Sequence, residues 1–154
     1  MLKPGSIAPD FTLHDDTGSP RALSDLLQAG PLVVYFYPAD FTPVCTKQAC
    51  TFRDDHSRLV EAGVSLVGIS AQGESSHAKF RARFDLPFPL LADTDKRVIR
   101  AYGALGPLGL VWRISYLVMP DGTIADAVRA DLSLGKHRAF IERAIAASTA
   151  ARAT

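Results

Sequence analysis

The stretch Tyr35–Cys50, YFYPADFTPVCTKQAC, constrains this chain more than any other. The run Leu32–Tyr37 is continuously apolar and rich in β-branched and aromatic residues, which predicts a central strand buried on both faces. It enters a proline-bounded loop, Pro38–Pro43, and then a helix reaching about Ala62. Pro43 suits the first turn of that helix, and Gly63 suits its end. Ala49, Phe52, His56, Leu59 and Val60 share one helical face. The chain's two cysteines, Cys45 and Cys50, both fall near the start of the helix. A thiol where a strand hands over to a helix lies near unpaired backbone N–H groups and the positive end of the helix dipole. Both favour the thiolate, the form of cysteine that does chemistry. The stretch therefore reads as a redox active site.

The rest of the chain supplies a frame for it. Phe11–His14 and Arg21–Leu23 flank Asp15-Asp16-Thr17-Gly18, a hairpin signal whose aspartates are expected in a solvated turn. Ser24 is placed to cap a short helix, Asp25–Gln28. Val64–Ser70 predicts a second buried strand, and Ser75 or Ser76 a helix start leading to Phe84. Leu86–Leu91 holds two prolines, so a strand there is short or at an edge. Asp93 or Thr94 opens a helix to Tyr102. Ile114–Met119 and Thr123–Val128 flank Pro120-Asp121-Gly122 as a hairpin. Ser133 is placed to cap a last helix, whose tail is expected to fray over 149–154. Strands alternating with helices, then a hairpin and a helix, predict an α/β fold: one domain over 1–154, a mixed sheet flanked by helices, in thioredoxin-like outline with an N-terminal hairpin.

Composition narrows the function. A net charge of +1 without long charged runs gives nucleic acid and anionic membranes nothing to hold. The longest apolar stretch, Pro31–Tyr37, is too short to span a bilayer. The N-terminus MLKPGSIAPDF has no apolar signal core, so a cytoplasmic location is expected. In a reducing compartment two close cysteines are catalytic or metal-binding more often than structural.

Four residues around the thiols invite roles, each with a plainer alternative. Thr42, three residues before Cys45, either reaches the sulfur or an oxygen beside it, or caps the helix. Pro38 either shields a thiolate from water or ends the strand. Arg113 opens the strand Arg113–Met119; in a thioredoxin-like layout it lies beside the helix start, and otherwise it is a surface charge. Gln48 either supports the loop or is exposed. Phe41 and Trp112 line an entrance or belong to the core. On an ideal helix, residues five apart have Cα atoms about 8.6 Å apart and about 140° around the axis. A disulfide needs roughly 7 Å or less. Cys45 and Cys50 therefore cannot bridge while both remain helical. Zinc would need Cys45, Cys50 and His56 in a spacing that matches no common site. His14, His77 and His137 are scattered and read as surface or capping residues.

FYPADFTPVCTKQAC resembles the active-site segment of peroxiredoxins, Pro-x-x-x-Thr/Ser-x-x-Cys, with Pro38, Thr42 and Cys45 in the motif positions. The continuation CTKQAC is similar to the peroxiredoxin Q (bacterioferritin comigratory protein) group, which carries its resolving cysteine at the position of Cys50. PGSIAPDFTL, VGIS, PLLAD, AYG and RISYLVMPDG extend the resemblance over nearly the whole chain, with Arg113 at the family's active-site arginine. Val44 departs from the usual glycine, and Gly103–Trp112 is shorter and more apolar than in many members. The resemblance implies a thiol peroxidase acting on hydrogen peroxide and alkyl hydroperoxides. Cys45 would become a sulfenic acid, Cys50 would resolve it as an internal disulfide, and a thioredoxin- or glutaredoxin-like dithiol would reduce that bond. It implies no metal, haem or flavin, and a monomer or weak homodimer. A thiol–disulfide oxidoreductase or a redox-switch binding protein would share the fold.

Overall fold

The apolar run Leu32–Phe36 becomes strand β3, buried at every position, because it lies inside a sheet covered on both faces. The computed structural model describes residues 1–131 and 133–152. Before β3 come β1 (Thr12–Asp15), β2 (Pro20–Ala22) and α1 (Leu23–Leu26). After it follow α2 (Pro43–Glu61), β4 (Ser65–Ser70), α3 (Glu74–Phe84), β5 (Leu90–Ala92) and α4 (Arg97–Ala101). A 3-10 turn (Pro107–Gly109), β6 (Ile114–Val118), β7 (Ile124–Arg129) and α5 (Leu134–Arg152) complete the chain. The seven strands form one mixed sheet in the order β2-β1-β5-β4-β3-β6-β7. This is the expected α/β, thioredoxin-like arrangement.

Alternation along β3 divides the core. Leu32, Val34 and Phe36 face α1 and α4 with Ile99 and Tyr102. Val33, Tyr35 and Tyr37 face α2 and α5, with Phe52, Phe80 and Phe140. Gly68 of β4 makes room for Tyr35: a Cβ there would meet the ring at 2.8 Å and Leu90 at 2.9 Å. Strand β6 runs antiparallel to β3, pairing Phe36 with Ile114. The start of β6 therefore lies against the end of β3, which carries Arg113 to the mouth of the loop before α2.

Several local expectations change. β5 is short, but it is interior, parallel to β4 and antiparallel to β1; Pro87 and Pro89 precede it and remove no ladder N–H. Helix α1 begins at Leu23, with Ala22 rather than Ser24 at its cap position. Helix α3 begins after Gly73, ahead of Ser75 and Ser76. Val60 is exposed rather than on the packed face of α2. Helix α5 persists to Arg152, past the expected fraying point at 149. Ser148 is buried with its hydroxyl donating to Ala62 O at 2.6 Å, and Arg152 donates to Glu61 O at 3.1 Å. Residues 153 and 154 lie outside the described residues.

The tip of the Asp15-Asp16 turn is exposed, but its two carboxylates turn inward. Asp15 is fully buried, and its Oδ1 accepts the N–H groups of Thr17 (2.9 Å) and Ser19 (3.0 Å). Its Oδ2 accepts Arg21 Nε at 2.8 Å, and Asp16 pairs with Arg81 at 3.0 Å. Burial works to raise the Asp15 pKa, but the bonds from Thr17, Arg21 and Ser19 outweigh it and hold it down at about 2. A depressed folded-state pKa contributes stability above the unfolded value near 4 and loses it as pH falls toward 2. Asp15→Asn should therefore cost roughly 2 kcal/mol in urea unfolding at pH 7. The gap from the parent should shrink steadily between pH 4 and pH 2; a gap independent of pH would mean that the charge is not what matters.

Candidate active site

The start of α2 and the start of β6 bring Cys45, Gln48 and Arg113 together. Cys45 lies in its first turn, 1% exposed, and Arg113 Nη2 donates to Cys45 Sγ at 3.3 Å. Arg113 is itself 4% exposed, so it is not a surface charge. Its Nη1 donates to Gln48 Oε1 at 2.7 Å and its Nε to Asp131 O at 3.2 Å. Its backbone N–H donates to Asp131 Oδ1 at 2.9 Å. Among the described residues no carboxylate oxygen lies within 4 Å of the guanidinium; Asp131 instead pairs through its side chain with Arg129. A buried cation without a carboxylate is costly unless an anion joins it. Of the groups touching it, the sulfur of Cys45 is the one that can become an anion.

Thr42 occupies the cap position of α2 but makes no side-chain cap. Its carbonyl accepts Thr46 N–H at 2.8 Å, while its hydroxyl donates to Ala39 O at 3.2 Å. The hydroxyl thus braces the loop instead of the helix and keeps acceptor lone pairs. The N–H groups of Val44 and Cys45 have no carbonyl four residues earlier within the helix. The first turn carries neither an acidic side chain nor a side-chain cap. Pro38 is half-buried at the end of β3, followed directly by the loop. Cys50 is half-buried, five residues further along the same continuous helix, and both thiols are free.

Gln48 is buried rather than exposed, and it holds the arginine; its Nε2 has no hydrogen-bond partner. Phe41 has φ +66°, a left-handed conformation that costs a bulky residue about 1–3 kcal/mol. Its half-exposed ring packs on Phe80 at 5.1 Å and Phe84 at 6.3 Å, centroid to centroid. Trp112 is half-buried, with the Arg129 guanidinium 3.7 Å over its ring.

Two buried histidines correct the expectation of surface residues. His137 Nδ1 meets the Ser115 hydroxyl at 3.0 Å and its Nε2 meets Ala130 O at 3.1 Å; burial pushes its pKa down. His77 joins the loop before α2. Its Nδ1 lies 2.7 Å from Asp40 Oδ2 and its Nε2 3.0 Å from Leu91 O. Asp40 also accepts the Tyr37 and Ser76 hydroxyls, each at 2.7 Å. Burial acts to raise the Asp40 pKa, but these bonds, led by His77, outweigh it and hold the carboxyl below its ordinary value. Burial pushes the Tyr37 phenol well above its usual range, so it stays a donor. Nothing near Asp40 in the sequence points to a histidine thirty-seven positions away; only the sheet order brings them together.

Comparison with known proteins gives the family and the fold. The model of the AhpC/TSA family matches residues 4–127. The chain is 43% identical over 122 residues to the chloroplastic peroxiredoxin Q of rice (Oryza sativa subsp. japonica), a match covering 78% of this chain and 56% of that protein. The chain thus spans little more than half the length of the plant relatives. It is 38% identical to the solved peroxidoxin BcpB of Mycobacterium tuberculosis, with a TM-score of 0.88 over 97% of this chain and 98% of that one. The bacterioferritin comigratory protein of Xanthomonas campestris, studied for its alkyl peroxide reduction activity, is 27% identical with a TM-score of 0.82, covering 90% and 92% of the two chains.

Proposed function

This chain belongs to the AhpC/TSA family of peroxiredoxins, and we propose that it is a thiol peroxidase whose nucleophile is Cys45. The observation that carries the reading is the buried Arg113 guanidinium, 3.3 Å from Cys45 Sγ and free of any carboxylate partner among the described residues. A cation held there stabilises negative charge on sulfur and on the oxygens of a peroxide as the O–O bond breaks. The thiolate attacks one oxygen of ROOH. The S–O bond forms, the O–O bond breaks, and RO⁻ takes a proton to leave as ROH. The N–H groups of the first turn donate to the peroxide oxygens, the Thr42 hydroxyl accepts the peroxide O–H with its free lone pairs, and Pro38 limits water. Cys45 is left as a sulfenic acid.

Cys50 then attacks Cys45 Sγ, forming the S–S bond and releasing the sulfenic oxygen as water. A dithiol protein of the thioredoxin or glutaredoxin type reduces the disulfide by exchange and becomes a disulfide itself. The substrates fit hydrogen peroxide and alkyl hydroperoxides, in a reducing compartment such as the cytoplasm. Resolution within one chain is compatible with a monomer or a weak dimer.

Mixing the reduced protein with hydrogen peroxide in a stopped-flow instrument tests the reading, with Trp112 beside Arg113 as the fluorescence probe. Oxidation should far outrun that of a free thiol; an equal rate would refute the peroxidase assignment. Arg113→Lys should slow that oxidation by about ten- to a hundredfold, because one ammonium cannot serve Gln48, Asp131 and the sulfur together. Urea unfolding of the same variant separates the losses: a rate that falls only in proportion to stability would make Arg113 structural.

A further inference from the structure

We propose that His77 is a positioning residue for the peroxide reaction: it clamps Asp40, and so the loop carrying Thr42, onto α3 while the first turn of α2 opens and closes. The inference rests on the thiol-peroxidase reading. Its basis is a buried pair that the chemistry above leaves unused. His77 is 0% exposed and Asp40 8%. The Asp40 carboxylate gathers three side chains, His77 Nδ1, Ser76 Oγ and Tyr37 OH, all at 2.7 Å. Its backbone N–H donates to Gln72 Oε1, also at 2.7 Å. Four residues therefore meet Asp40: Ser76 and His77 on α3, Gln72 just before α3, and Tyr37 just past β3.

The bonds define how His77 is held. Leu91 O is an acceptor only, so His77 Nε2 carries a proton. The Nδ1 face meets a carboxylate that already accepts two hydroxyls, so a proton lies between Nδ1 and Oδ2. His77 thus ties the loop at one ring nitrogen and strand β5 at the other. The loop needs the tie. Phe41, next in sequence, is held at φ +66°, and Ala39, on the other side, offers the carbonyl that Thr42 Oγ1 binds. Such a conformation persists only where its surroundings over-determine it. Here the surroundings are mainly α3, where Ser76 and His77 hold Asp40 while Phe80 and Phe84 hold the Phe41 ring; Tyr37 and Gln72 complete the hold on Asp40. Unwinding that begins at Pro43 leaves all of these contacts intact. The loop is then the fixed end against which the helix refolds, and Thr42 returns to one place after each turnover.

Two substitutions of the same histidine separate the tie to the loop from the tie to the sheet. His77→Asn keeps a donor where Nδ1 was and loses the bond to Leu91. His77→Gln keeps a donor near the Nε2 position and loses the bond to Asp40. Peroxide oxidation of each reduced variant, followed by stopped flow, should slow by about tenfold or more in His77→Gln, the scale of an ångström-level misplacement. His77→Asn should recover most of that loss, although both variants lose one buried hydrogen bond. Disulfide formation after oxidation should be no slower in either. Equal slowing in both variants, or a parental rate in His77→Gln, would overturn the inference. If His77→Gln does not fold, Tyr37→Phe removes one hydroxyl donor to the same carboxylate and should slow oxidation several-fold; an unchanged rate would refute the clamp equally. A parent no faster than a free thiol would instead refute the peroxidase reading itself.

Discussion

Cys45→Ser should lower the rate of peroxide consumption by roughly a thousandfold or more, to the level of an ordinary thiol. A serine hydroxyl is a poor nucleophile unless a base removes its proton. The groups around position 45 supply none: Arg113 is a permanent cation, Gln48 is an amide, and the Thr42 hydroxyl is committed to Ala39 O. In the proposed reaction Arg113 would stabilise negative charge on sulfur, and a serine hydroxyl offers far less of it. Cys50 remains in this variant, half-buried and, among the described residues, without a cation in hydrogen-bond contact, and accounts for the residual reaction. Stopped-flow oxidation and intact mass after one equivalent of peroxide measure the loss. The variant should keep its mass, whereas the parent should lose two hydrogens without dimerising. Turnover within a few-fold of the parent would move the nucleophile elsewhere. The substitution is nearly isosteric and the site is packed, so unfolding should not confuse the result.

The sequence carried the centre of this site and little of its surroundings. β3, the proline loop and the start of α2 are legible because a doubly buried strand, a proline at the first helical position and a cysteine there are all local signals. Arg113 became legible only through resemblance to a family, since its approach to Cys45 depends on the antiparallel register of β6 against β3. Gln48 could be read as exposed or supporting because helical periodicity alone does not say which face a neighbouring strand end covers. His77 and His137 were misjudged for a related reason. Each is isolated in sequence, and the partners that pay for its burial, Asp40 and Ser115, lie on other elements. Asp15 is hidden for a different reason: Asp-Thr-Gly is a turn signal, but composition does not reveal that the carboxylate turns inward to satisfy the turn's own N–H groups.

Cys50→Ser should leave the first oxidation nearly unchanged and abolish turnover supported by a dithiol protein. The reason lies in α2. The helix is continuous from Pro43 to Glu61, so the two thiols stand about 8.6 Å apart at Cα, beyond disulfide reach. Bridging therefore requires the start of α2 to unwind, and its construction keeps that inexpensive. The first turn has no side-chain cap and no acid to meet the dipole, each a deficit of about 1 kcal/mol or less. The Thr51 hydroxyl bonds back to Lys47 O at 2.9 Å, a contact that slightly weakens and bends helices. What holds the turn closed is largely Arg113, through Gln48 and Cys45. In the proposed cycle, oxidation would replace the thiolate with a neutral sulfenic acid and so remove the anion from the guanidinium, which would loosen the same turn. Reaction and release would thus be linked through one side chain. In Cys50→Ser the loosened turn has no internal thiol to meet. One equivalent of peroxide should add a single oxygen, trappable by a sulfenic-acid reagent, and excess peroxide should drive Cys45 to the sulfinic acid. Undiminished turnover with the dithiol protein would show that an external thiol resolves the sulfenic acid, and the unwinding of α2 would then have no role in the cycle.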